Sequence, residues 1–118
     1  MANRVVKTHA AKSALNDLGT GPVDSHGAPA ITMYVTFGAG TSAGAVQLEG
    51  SPDPTFAGTW AAIGSPVAWG VASSVKYVAV NEAHRYVRAR ISTAVVGGTV
   101  DVHVVTGGFA SGEYLEAG

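Results

Sequence analysis

Between Tyr86 and Val104 the chain alternates twice with a strict period of two. Val87, Ala89 and Ile91 alternate with Tyr86, Arg88 and Arg90. Val100, Val102 and Val104 then alternate with Asp101 and His103. Successive side chains of a β-strand point to opposite sides, so each run is a strand with one dry face and one wet face. The short Thr93–Gly98 stretch between them contains Gly97-Gly98. This arrangement predicts an antiparallel hairpin. In the register that aligns both wet faces, Arg90 lies opposite Asp101 and Arg88 opposite His103. The pattern specifies fold class and carries no reaction chemistry.

The same period recurs upstream. Ile31, Met33, Val35 and Phe37 alternate with Thr32, Tyr34 and Thr36. Between Ala43 and Glu49, Val46 and Leu48 oppose Gln47 and Glu49. Gly50-Ser-Pro-Asp-Pro54 is a turn cluster, because proline presets φ and aspartate bonds its own backbone. Trp60–Ile63 and Pro66–Val71 read as two short strands around Gly64-Ser65, and Val75–Val80 as another. Asn81-Glu-Ala83 turns the chain into the last pair. Seven or so short strands, with turns roughly every 8–12 residues, predict an all-β antiparallel sandwich, jelly-roll-like or immunoglobulin-like.

The 118 residues fit one domain. The charged share is 13%, about half the ~25% of ordinary globular chains. Few charges suit a surface partly covered by neighbours. A formal charge of −1 argues against a broad nucleic-acid footprint. The absence of cysteine removes disulfides and thiolate metal sites. The first residues lack the apolar core of a secretory signal. No apolar run approaches the ~20 residues of a membrane span.

Residues 1–28 differ from the rest, with Gly19, Gly21, Pro22 and Gly27 as breakers. Leu15 and Leu18 give residues 10–18 only a thin apolar stripe, too little for a stable short helix. The expectation is an extended N-terminal arm over residues 1–28, a sandwich over 29–110 and a loose tail over 111–118 that Phe109 and Tyr114 would pin. The alternative is a first strand at Arg4–Thr8 followed by a long loop.

Four constellations invite chemistry. Asp101 and His103, two apart on one strand face, would begin a metal site, but no cysteine or second local histidine completes it. A cross-strand arginine accounts for the carboxylate instead. Glu82 and His84 resemble half of a general acid–base pair, yet no nucleophile motif accompanies them, and a surface turn is the better reading. The stretches Gly38–Gly44 and Gly107-Gly108 lack the lysine ending and strand–helix setting of a phosphate loop and read as turns. Trp60 and Trp69 are expected to fill the core, whereas Tyr34 and Tyr86 fall on outward faces, where tyrosine favours protein contacts.

Two blocks carry a family resemblance. Gly44–Gly64 contains Leu-Glu-Gly-Ser-Pro-Asp followed by Trp60. His84–Val104 contains Tyr-Val-Arg-Ala-Arg-Ile, then Gly-Gly-Thr-Val. Over about residues 30–106 the chain resembles small β-sandwich structural proteins of tailed bacteriophages. These include capsid decoration (cement) proteins, head-fibre bases and tail accessory domains. The resemblance implies a non-enzymatic virion protein with no cofactor, bound to the outside of the major capsid protein shell as a homotrimer and assembled in the host cytoplasm. It implies neither a nucleic-acid nor a membrane partner. Arg4, Val5, Val6 and Lys7 of the arm, with Tyr34 and Tyr86, are the expected contact residues. A tail or head–tail subunit and a carbohydrate-binding module are the competing expectations.

Overall fold

The structure is a computed structural model that describes residues 4–107. Eight strands form it: β1 (Arg4–Lys12), β2 (Val23–Asp24), β3 (Ala30–Phe37), β4 (Ala43–Ser51), β5 (Ala61–Ala68), β6 (Ser74–Val80), β7 (Tyr86–Val96) and β8 (Val100–Gly107). No helix occurs among the described residues. One sheet has the order β1-β8-β3-β6 and the other β2-β7-β4-β5, with every ladder antiparallel. The pairs β1–β8, β2–β7, β3–β6 and β4–β5 are nested about the β4–β5 connection. A long antiparallel ribbon rolled up on itself gives this order, which is that of a jelly roll.

The nesting overturns the expected β7–β8 hairpin. These strands follow one another in sequence but lie in different sheets. Val87, Ala89 and Ile91 therefore lie across the sandwich from Val100, Val102 and Val104, all fully buried in one core with Ile31, Met33, Val35, Phe37, Val46 and Leu48. Alternation assigned the dry faces but is silent about neighbours, because a hairpin and an arch between sheets bury the same residues. The crossing is tight. Gly40 and Gly97 have φ of 84° and 83°, a region that suits glycine. A Cβ on Gly97 would sit 2.3 Å from the Gly40 carbonyl oxygen. The glycine-rich β3–β4 and β7–β8 turns thus pack backbone against backbone.

The start of the expected arm runs along a sheet edge. Arg4–Lys12 is an edge strand with Val5 opposite Val105 and Lys7 opposite His103. Its register slips on both sides of His9, and Ala11 turns at φ 52°. The chain then crosses to the other sheet. Asn16 N–H donates to the Ile91 carbonyl (2.8 Å), and Ile91 N–H donates to that of Asp17 (3.2 Å). β2 continues along the same edge of β7. His9, 1% exposed, fixes the crossing. Its Nε2 lies 2.9 Å from the Asp17 carbonyl, which can only accept, so Nε2 carries the proton. Nδ1 then accepts from the Thr8 hydroxyl at 2.8 Å.

The two short strands expected around Gly64 are one irregular strand, β5, with Gly64 at φ 67°. The expected tail over 111–118, with Phe109 and Tyr114, lies outside the described residues.

Candidate interaction surface

The registers place eleven outward side chains of the β1-β8-β3-β6 sheet in three rows. Val5, Val105, Thr32 and Ala79 form one. Lys7, His103, Tyr34 and Tyr77 form the next. Asp101, Thr36 and Val75 form the third. Val5, Val75 and Tyr77 are 59–65% exposed and Tyr34 is 41% exposed. The Tyr34 and Tyr77 rings tilt against each other with centroids 5.7 Å apart. Lys7 Nζ lies 3.4 Å from the Asp101 carboxylate, so the two full charges of these rows offset each other at one margin. Asp101 also accepts from Ala11 N–H at 2.7 Å. That backbone donor first, and Lys7 second, hold its carboxyl below the usual range. Asp101 thus pairs with β1, and the expected Arg90–Asp101 and Arg88–His103 neighbours are not formed.

The outer face of the other sheet is covered over β4. Gln47, Glu49 and Ser51 point outward from β4 yet are buried. Glu49 accepts from Arg88 Nε and Arg90 Nε, both at 2.9 Å. Arg90 Nη1 reaches Asn16 Oδ1 at 2.9 Å. The Arg88 guanidinium lies 4.3 Å from the centroid of the Trp60 ring, and Trp60 Nε1 donates to the Phe56 carbonyl at 2.9 Å. The 52–60 connection therefore roofs this part of the face, and Asn16, from the segment paired along the edge of β7, closes its margin. Trp60 is buried, as expected, but in the roof rather than between the sheets. Its position next to β5 gives it the outward parity of Ala62. Trp69 does pack against the core cluster.

The sheet edges are guarded. Edge strand β6 carries Lys76 opposite buried Val35, at an inward position. Edge strand β5 contains Pro66, which lacks an N–H, and β1 has slips in register. Inward charges, prolines and bulges all hinder a foreign strand from pairing.

The expected contact residues separate. Val5, Lys7 and Tyr34 share the open face. Val6 turns inward against the core. Arg4 Nη1 donates to the Asp24 carbonyl at 2.9 Å. Tyr86 belongs to the other sheet, with the Arg85 guanidinium 5.2 Å from its ring centroid. Sequence reasoning missed Tyr77 and Val75 as members, because Val75-Lys-Tyr-Val-Ala-Val80 has no polar alternation to assign its faces. It also missed Glu49 as the partner of both arginines.

At the other possible sites, the Glu82 carboxylate accepts from His84 Nε2 at 2.8 Å. Asp24 accepts from Arg85 Nε at 2.8 Å and Nη2 at 3.2 Å, and Arg85 and the His26 backbone hold its pKa down to about 2. No group of three potential metal ligands assembles among the described residues.

Comparison with known proteins adds no relative: no family model, curated protein or solved structure matches the chain.

Proposed function

We propose that this protein is a non-enzymatic capsid decoration protein of a tailed bacteriophage, docking on the outside of the major capsid protein shell through the outer face of the β1-β8-β3-β6 sheet. The observation that carries the reading is the combination of an open, charge-balanced, tyrosine-bearing face with guarded edges. Such a face suits a protein surface of similarly low charge, since unpaired charges across it would be desolvated without compensation. It suits neither a phosphate backbone nor an anionic lipid surface, which need excess positive charge. Jelly rolls recur in viral capsid domains, a likeness at the level of fold alone. The protein acts as a homotrimer, and repetition over a lattice lets weak individual contacts accumulate.

The test mixes purified protein with undecorated particles, sediments them, and measures bound copies and the temperature of shell disruption. Hundreds of copies and a raised disruption temperature are expected, because a ligand of the assembled state stabilises it by linkage. Tyr77→Asp should abolish binding while leaving the fold intact. A few copies at one vertex or on the tail would assign the protein to a head–tail or tail role instead.

A further inference from the structure

Of the four histidines in the chain, one stands on the open sheet face. His9 is buried at the β1 crossing, and His26 and His84 belong to the connections that precede β3 and β7. His103 lies near the middle of the face. The registers set it opposite Lys7 of β1 on one side and Tyr34 of β3 on the other, with Tyr77 of β6 next in the row. Along β8 its neighbours on the same side are Asp101 and Val105. The residue is half-buried, so a partner laid flat on the sheet would cover what remains of its imidazole.

The charges around this ring are few. Lys7 faces it from β1 and Asp101 from β8, and they offset each other at 3.4 Å. Tyr34 and Tyr77 contribute phenol groups from β3 and β6. The Asp101 carboxyl is held below its usual range, so the Lys7–Asp101 offset persists in mildly acidic solution. Histidine is the side chain suited to gain a charge between about pH 8 and pH 5. Acidification therefore changes this face by one positive charge, placed at its centre, while the ion pair at its margin stays as it is.

We propose that His103 is a pH-sensitive switch on the docking face: the neutral imidazole permits docking and the imidazolium opposes it. The inference rests on the shell-docking reading and adds its regulation. A neutral imidazole under a low-charge surface loses water from one donor and one acceptor. An imidazolium there loses the hydration of a full charge and gains no carboxylate in return, since Asp101 is already engaged by Lys7 and the Ala11 N–H. Docking thus favours the deprotonated form. By linkage the affinity is full above the titration midpoint of His103 in the free protein. It falls as pH drops through that midpoint, by at most about tenfold per pH unit for each copy, because one proton is exchanged.

The test sediments the whole protein with undecorated particles across a range from about pH 8 to about pH 5.5. Affinity should fall about tenfold or more over this range. The bend in the curve should coincide with the titration of the His103 Cε1–H resonance in the free protein. His103→Gln should bind throughout as the parent does at the upper end. His103→Lys, charged throughout, should bind as weakly as the parent does at the lower end. Both variants should melt near the parent, because the position faces outward. A pH dependence that persists in folded His103→Gln overturns the switch and leaves the docking reading in place. So does tight binding by His103→Lys, or parent binding that strengthens with acid. Failure of the parent to bind particles at about pH 8 overturns the docking reading, and the switch with it.

Discussion

The two outer faces of this sandwich invert the usual distribution of polarity. On the β2-β7-β4-β5 sheet, a carboxylate and two arginines are covered by loops and an indole. On the β1-β8-β3-β6 sheet, valines and tyrosines are open to solvent. Both faces are built from outward positions of alternating strands, so the strands themselves do not explain the difference. The connections do. Residues 52–60 fold over one sheet, while residues 13–17 pair along its edge, and the other sheet is left bare. A closed face can contribute to stability, whereas an open apolar face contributes little to the isolated molecule and is free to contribute to an assembly.

The comparison can be broken at several depths. Val102→Asp should erase it, since Val102 is fully buried between the sheets. An unpaired carboxylate there should cost about 4 kcal/mol or more, visible as loss of the cooperative denaturant transition. Glu49→Ala should cost about 2–4 kcal/mol in urea unfolding, because it strands two largely buried guanidiniums. A Glu49→Ala protein as stable as the parent would show that the roof is ornamental.

Asp101→Ala, at the margin of the open face, should cost about 0.5–1 kcal/mol. Its backbone hydrogen bond is real, but the side chain is 38% exposed and its ion pair is screened. Because the folded-state pKa of Asp101 is depressed, its contribution is present above the unfolded value near 4 and lost as pH falls through the lower folded value. Asp24 behaves in the same sense, with its contribution lost between about pH 4 and its folded value of about 2. Asp24→Asn should therefore flatten the fall of melting temperature in that window. The smallest effect is expected for Tyr77→Ala, within about 0.5 kcal/mol of the parent in stability. That variant sharpens the comparison only when particles are present, where it should lower the number of bound copies.

The legible part of this fold is the part that depends on parity. The dry faces of Ile31 to Phe37, Val87 to Ile91 and Val100 to Val104 follow from the sequence, because an apolar–polar period of two has one interpretation per strand. What parity cannot supply is the partner strand. A hairpin places Arg90 opposite Asp101 and Arg88 opposite His103, whereas the partner of both arginines is Glu49, about forty residues upstream and in the same sheet. The size of Trp60 points to the core, yet an indole is buried equally well by loops and a stacked arginine. The first strand was obscured because Arg4–Lys12 buries little beyond Val6, Thr8 and His9. Its membership in the sheet rests on backbone hydrogen bonds, which leave no trace in side-chain pattern. Glu82 and His84 are legible as a pair in the sequence, whereas the approach of His84 to Gly50, more than thirty residues upstream, comes only from the tertiary fold.

That nesting also sets a timetable. β8 is the last described strand to leave the ribosome, yet it lies second in its sheet and bridges β1 to β3. Until it emerges, β1 has no neighbour to pair with and β3 has only β6. The chain must close its longest loop, from Arg4 to Thr106, to complete that sheet. Closure over such sequence separations slows folding relative to locally paired chains. Nascent protein should therefore stay protease-sensitive until β8 has emerged, and resist cleavage once β8 has paired with β1 and β3.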